Sequence, residues 1–197
     1  VLISLEKVKY VATLNKNMEI KRVIGASEKE INSKKFNIFV PISLGNQWFT
    51  PENLSQYLKW ALSNSNSQIL VIIADKLHQI NIEVKDHYNH AKAERKVKRL
   101  GDKIEIGLKD VITNWPNKDK LRISIVRWED IASEKEYILI KNMIYSEFDT
   151  NRNFREHIIN IVKENLKNIG NREFRNEELI KRSQYVLDEL PLFLYGV

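Results

Sequence analysis

Residues Gln68 to Ala74 read QILVIIA, and from Ile69 to Ala74 no polar position interrupts the run until Asp75 halts it. A strand with one face in water alternates apolar and polar residues; this one does not, so it needs cover on both faces, as a central strand of a parallel sheet does. Phe36 to Ile42 and Leu121 to Arg127 are further strand-length runs rich in β-branched residues, and Val8 to Leu14 is a fourth. Helical segments separate them. Thr50-Pro51 marks a helix start, the hydroxyl capping free N–H groups and the proline fixing the first helical φ, and Leu54, Leu58 and Trp60 carry an apolar stripe on towards Asn64. Ser27 and Glu30 have the spacing of a capping box over a short helix. Glu83 to Leu100 reads as one long charged helix and Lys103 to Trp115 as another, and Ser133 with Glu136 opens a mostly helical C-terminal half. This alternation predicts an α/β fold of the doubly wound kind, with helices on both faces of a mostly parallel sheet.

A chain of 197 residues with 43% hydrophobic composition buries one sizeable core, and no linker-like stretch divides it, so residues 1–197 are expected to form a single domain. The absence of cysteine removes disulfides and thiolate metal sites, and the four histidines lack ligand-like partners. His87 and His90 share a helix surface, but that spacing alone is weak, and neither metal nor cofactor is expected. No run is long enough to span a membrane, and Glu6 with two lysines spoils a signal-peptide layout, so a cytoplasmic protein is the expectation. A net charge of +6 suits a polyanionic partner only if the cations are gathered on one surface.

They are gathered between Lys92 and Lys103. Lys92, Arg95, Lys96, Arg99 and Lys103 fall at i, i+3, i+4, i+7 and i+11, one stripe if the helix runs that far, with Lys98 beside it. Ala93, Val97 and Leu100 lie on a neighbouring face that would dock the helix. A solvated charged face is the ordinary explanation of such a stripe. Against it, Glu94 is the only carboxylate between Lys92 and Arg99, so pairing within the helix cannot neutralise the charge.

Chemistry is suggested at two separated places. The stretch Pro41-Ile42-Ser43-Leu44-Gly45-Asn46-Gln47-Trp48-Phe49-Thr50-Pro51 sets Ser43 at the carboxyl end of a strand, just before a helix, where ligands bind in open α/β sheets. Turn chemistry alone also explains a serine there. Near the other end, Asn176 followed by Glu177 and Glu178 reads as a helix start, continued by Leu179, Ile180 and Val186. On that helix Tyr185 and Glu189 are i and i+4, a phenol and a carboxylate able to hold an ammonium between them, before Pro191 ends or bends the helix.

Together, Ser43-Leu44-Gly45-Asn46-Gln47-Trp48-Phe49 and Tyr185-Val186-Leu187-Asp188-Glu189-Leu190-Pro191-Leu192-Phe193, with the basic helix between them, resemble the tRNA-dependent cyclodipeptide synthases, in the subfamily with a Ser-x-x-Asn motif. The resemblance spans nearly the whole chain. It implies a Rossmann-like domain similar to the catalytic domains of class I aminoacyl-tRNA synthetases, and no HIGH-like or KMSKS-like signature is present, in keeping with the use of amino acids already activated. It implies ping-pong acyl transfer, in which two aminoacyl-tRNAs are used in turn, Ser43 carries first an aminoacyl and then a dipeptidyl group, and cyclisation releases a 2,5-diketopiperazine. On the same resemblance Tyr185 and Glu189 grip the first ammonium, Glu189 also relays protons, Asn46 shapes the serine loop, and Lys92, Arg95, Lys96, Lys98, Arg99 and Lys103 meet tRNA phosphates.

The family carries a further catalytic tyrosine about twenty residues beyond the Tyr-x-x-x-Glu helix. Tyr195 is too close to Glu189 to match it, which leads to the expectation that this C-terminal loop is missing and that residues 1–197 acylate Ser43 yet cyclise poorly. Phe39 and Pro41 precede Ser43 by four and two, so an unbroken strand puts all three on one face, and the family pattern adds Val71, Leu192 and Phe193 to an apolar first pocket. An α/β-hydrolase is disfavoured, since Ser43 lacks a G-x-S-x-G elbow and no histidine stands near the chain's end. A non-catalytic Rossmann-like tRNA-binding module is the alternative, for which the basic stripe alone would suffice. Oligomeric state is not legible here.

Overall fold

The computed structural model describes residues 11–14, 20–24, 27–167 and 174–195. Three parallel strands form the centre in the order β3 (Ile38–Ile42), β4 (Ile69–Ile73), β5 (Ile123–Arg127), and β1 (Val11–Leu14) with β2 (Ile20–Ile24) makes a separate antiparallel hairpin. Residues 8–10 of the first expected strand lie outside the described residues. β2 escaped sequence reading because Lys21 and Arg22 interrupt its apolar pattern.

QILVIIA is the middle strand, as its unbroken apolar run requires, and the parallel register fixes what each face carries. Val40, Val71 and Ile125 lie side by side, and Ile42, Ile73 and Arg127 do so at the carboxyl end. The first face, with Ile38, Val40, Ile42, Ile69, Val71 and Ile73, packs on α2 (Pro51–Asn64) through Leu54, Leu58 and Ala61, and on α4 (His90–Thr113) through Ala93, Val97 and Leu108. The opposite face, with Phe39, Leu70, Ile72 and Val126, meets Leu77 of α3 (Asp75–Lys85), Trp128 and Ile131 of α6 (Trp128–Ala132), Tyr137 of α7 (Lys135–Thr150) and Leu192 of α9 (Asn176–Tyr195). Helices thus cover both faces. Further out, α7, α8 (Arg152–Lys167) and α9 share a core of Ile140, Ile144, Phe148, Ile158 and Leu187.

The capping box forms as expected, Ser27 Oγ accepting from the Glu30 N–H at the start of α1 (Glu28–Ser33). Thr50 Oγ1 likewise accepts from Asn53 and Pro51 begins α2. The charged segment divides elsewhere than its sequence suggests. α3 ends at Lys85, His87 adopts a left-handed φ of 54°, Asn89 caps the next helix by accepting the Lys92 N–H, and α4 then runs unbroken through Leu100 to Thr113. Between α4 and β5 lies the short α5 (Asn117–Lys120). Ser133 is no cap for α7: its hydroxyl donates to the Asp130 carbonyl at 2.8 Å, closing α6, and Glu134 precedes α7 without a side-chain cap. α9 starts one residue away from the expected capping, with the Arg175 N–H donating to Glu178 at 3.2 Å and the Arg175 carbonyl accepting from Leu179. Pro191 neither ends α9 nor stops its docking. In the turn before Pro191 the Tyr137 hydroxyl donates to the Asp188 carbonyl at 2.8 Å.

Candidate functional site

Strand parity decides where Ser43 points. Ile42 turns into the α2/α4 core and is fully buried, so Ser43 falls on the other face, where α9 lies, and it is exposed. The loop that follows is tightly held. Gly45 has φ +79°, which glycine adopts without strain, and a side chain there would place its Cβ 3.4 Å from His78 Nε2. Asn46 Oδ1 accepts from the Trp48 N–H at 2.9 Å and its carbonyl accepts from Phe49, while Asn53 Nδ2 donates to the Trp48 carbonyl at 2.6 Å. Asn46 is thus tied into the loop through both its side chain and its carbonyl.

Sequence periodicity could not say whether the Tyr185 face meets this loop. In the structure it does. Tyr185 is half-buried in the core between the sheet and α9, and burial pushes its phenol up to about 12; the nearby Glu189 carboxylate adds to the rise, and hydrogen bonding from Ser43 opposes it. The phenol therefore remains protonated at neutral pH, a donor beside the serine hydroxyl. Glu189, one turn on, is half-buried, and desolvation raises its carboxyl above the ordinary value. Such a carboxyl exchanges a proton nearer neutrality than a solvated glutamate would. His78, which sequence reading passed over, sits behind Gly45, and burial followed by the charge on Lys96 lowers its pKa, keeping the imidazole neutral.

The expected pocket residues divide by face. Phe39 and Leu192 join Tyr185 in one apolar cluster, and Pro41 is exposed at the strand end. Val71 does not belong there: it is fully buried on the α2/α4 side, because the register that pairs it with Val40 also sets it on Val40's face. Phe193, next to the buried Leu192, is 40% exposed and follows Glu189 by four residues on α9. Leu70, Ile72, Val126 and Trp128 occupy the Phe39 side in their stead. QILVIIA is apolar throughout, so only the two-residue alternation of strand side chains, counted from the pairing register, separates Leu70 and Ile72 from Val71.

The sequence profile of the family described as cyclodipeptide synthase matches residues 22–197. The chain belongs to the cyclodipeptide synthase family. It is an enzyme of the aminoacyltransferase class by that membership. It is 26% identical over 172 residues to the cyclo(L-leucyl-L-leucyl) synthase of Staphylococcus haemolyticus, covering 84% of this chain and 71% of the relative. A Mycobacterium tuberculosis protein whose structure relates cyclodipeptide synthetases to type I tRNA synthetases superposes with a TM-score of 0.71 at 15% identity, over 85% of this chain and 72% of that one. The synthase of Candidatus Glomeribacter gigasporarum, solved bound to Phe-tRNAPhe, gives 0.57 at 19% identity, over 82% and 72%. These structures share the fold.

On this cyclodipeptide synthase fold the basic residues of α4 are not equivalent. Lys92, Arg95, Lys98, Arg99 and Lys103 are exposed. Lys96 is half-buried, its Nζ 2.8 Å from Asp86 and 5.0 Å from the Tyr88 ring centre. Lys92 lies over the same ring at 3.7 Å. The carboxylate that answers Lys96 thus comes from the turn before α4, outside the window in which sequence analysis looked for it. Among the described residues no group of three histidine or acidic side chains could hold a metal ion, and no helix is long and apolar enough to cross a membrane.

Proposed function

We propose that this chain joins two aminoacyl groups, each delivered as an aminoacyl-tRNA, into a 2,5-diketopiperazine by way of esters on Ser43. The observation that supports the reading is the hydrogen bonding of an exposed Ser43 with Tyr185, whose neighbour one turn on along α9 is the half-buried Glu189. Ser43 Oγ attacks the ester carbonyl of the first aminoacyl-tRNA; the bond to the tRNA oxygen breaks, that oxygen takes a proton, and the aminoacyl group rests on Ser43. Its ammonium lies between the Tyr185 phenol and the Glu189 carboxylate.

An ammonium has no lone pair, so a proton must leave before the next bond forms, and the desolvated Glu189 is suited to accept it. The freed amine attacks the ester carbonyl of the second aminoacyl-tRNA, an amide forms, the second tRNA departs, and the dipeptide remains on Ser43. The amine of the newly added residue then attacks the Ser43 ester, closing the ring and returning the hydroxyl. A relative named for cyclo(L-leucyl-L-leucyl) synthesis, a family structure bound to Phe-tRNAPhe and the exposed cations of α4 support tRNA as the carrier.

Intact-mass measurement tests the proposal. Incubated with bulk tRNA charged with the standard amino acids, the protein should gain one aminoacyl mass that is absent from Ser43→Ala. A wild-type chain that gains no mass, or a Ser43→Ala chain that still gains it, refutes the role of Ser43.

A further inference from the structure

On the helix that presents Tyr185 and Glu189, three polar contacts from α7 converge on one residue, Asp188. Asp188 Oδ1 accepts from the Tyr145 hydroxyl at 2.7 Å and lies 2.8 Å from Lys141 Nζ, while its main-chain carbonyl accepts from the Tyr137 hydroxyl at 2.8 Å. Tyr137, Lys141 and Tyr145 are i, i+4 and i+8 on α7, so one helix face aims three donors at one residue. The contact is well made. Tyr137 is 1% exposed, its ring set edge-to-face on Trp128, and Lys141 lies 5.4 Å from the Tyr145 ring centre. Burial and the Asp188 charge both raise the two phenols, which therefore stay protonated donors.

Place along α9 gives this contact its meaning. Asp188 immediately precedes Glu189, lies three residues after Tyr185 and three before Pro191. Pro191 removes the N–H that would bond the Leu187 carbonyl, so the turn carrying Glu189 is where the helix is least able to fix its own direction. A few degrees of rotation or bend there move the Glu189 carboxyl relative to Ser43. Errors of about 1 Å in such geometry cost up to about a hundredfold in rate.

We propose that Asp188, through Tyr145 and Lys141, is a positioning residue that sets the direction of the Tyr185 and Glu189 face towards Ser43. This rests on the role of Ser43 proposed above. Asp188 touches no substrate; its carboxylate faces α7, away from the reacting atoms. Binding of the tRNA body through the cations of α4, a different helix, should consequently be insensitive to it.

The test is single-turnover loading of Ser43, read by intact mass over a range of concentrations of the aminoacyl-tRNA that loads best, with thermal unfolding measured alongside. Asp188→Ala and Tyr145→Phe should each lower the saturating rate by about tenfold to a hundredfold while the half-saturating concentration stays within about twofold. Asp188→Asn, which keeps an acceptor for Tyr145, should recover most of the rate, and the Asp188→Ala/Tyr145→Phe double variant should be little slower than Asp188→Ala alone. A rate unchanged in folded Asp188→Ala, a loss confined to the half-saturating concentration, or a rate in Asp188→Asn as low as in Asp188→Ala overturns the inference while leaving Ser43 loading intact. A wild-type chain that never gains mass overturns both.

Discussion

Replacing Gly101 by alanine sets two effects against each other. Gly101 lies inside α4, where helix propensity alone favours alanine by about 1 kcal/mol. A Cβ there, however, would overlap Arg127 Nη2 and stand 2.8 Å from Cζ and 3.0 Å from the Asp75 Cβ. The end of an arginine is ordinarily free to move aside. This one is not: Arg127 is ion-paired with Asp75, lies 2.8 Å from Asp102 and 3.1 Å from Glu105, and donates to the Lys98 carbonyl. Hydrogen bonds to charged groups contribute roughly 1.5–3 kcal/mol each, and exposed pairs far less, so displacing the guanidinium costs about 2–3 kcal/mol, nearly all from the buried Asp75 contact. Net destabilisation of Gly101→Ala is then about 1–2 kcal/mol. Gly107, six residues on in the same helix, is the control, since its Cβ would meet nothing within 4 Å, and Gly107→Ala should gain up to about 1 kcal/mol. The two variants should therefore melt on the order of 5–10 °C apart, wild type between them. Urea denaturation of all three checks the order, and a Gly101→Ala chain as stable as wild type would refute the account of Arg127 as a fixed post.

Glu189→Gln should stabilise the fold by an amount that depends on pH. The raised folded-state pKa means that the stability due to Glu189 is fully present below its unfolded value near 4.5 and is lost as pH rises through the folded value, so the gap to the glutamine variant should open above pH 4.5; a gap that does not change with pH would count against burial as the cause. Changing Arg95, Lys98, Arg99 and Lys103 together to alanine should reduce the slope of log K against log salt for tRNA by up to about 3, whereas Lys96→Ala, removing a cation already answered by Asp86, should change it by much less than one. Leu70→Ala should alter which aminoacyl group loads Ser43. Val71→Ala should cost stability without altering that preference, and a changed preference in Val71→Ala would return it to the pocket side of the sheet.

What could be read in advance followed from local chemistry. The strand runs, the Thr50-Pro51 start and the Ser27 capping box depend on residues close in sequence and reappear in the fold almost unshifted. The errors came where a partner is distant. The sequence suggests one helix ending at Leu100 and another starting at Lys103, but Gly101 between them admits Arg127 from β5, 26 residues later, and α4 continues. Lys96 looks unpaired when carboxylates are sought only between Lys92 and Arg99, a stretch without Asp86, and Val71 enters the pocket through the family resemblance, which carries no strand parity.

The same parity explains how one small sheet keeps its chemistry apart from its scaffolding. At the carboxyl ends, Ile42, Ile73 and Arg127 lie in register on the α4 side, so Arg127 falls among Asp75, Asp102 and Glu105 and ties α3 and α4 to the end of β5. One residue further along β3 the side chain must point the other way, and that residue is Ser43. Shifting β3 by one position would exchange these places, sending the hydroxyl into the closed α2/α4 core and Ile42 towards Tyr185. Register is held against such a slip by Val40, Ile42, Val71 and Ile73, all fully buried on the α2/α4 side. The apolar run with which the sequence reading began therefore does more than fill a core, for it is the partner against which the position of Ser43 is counted.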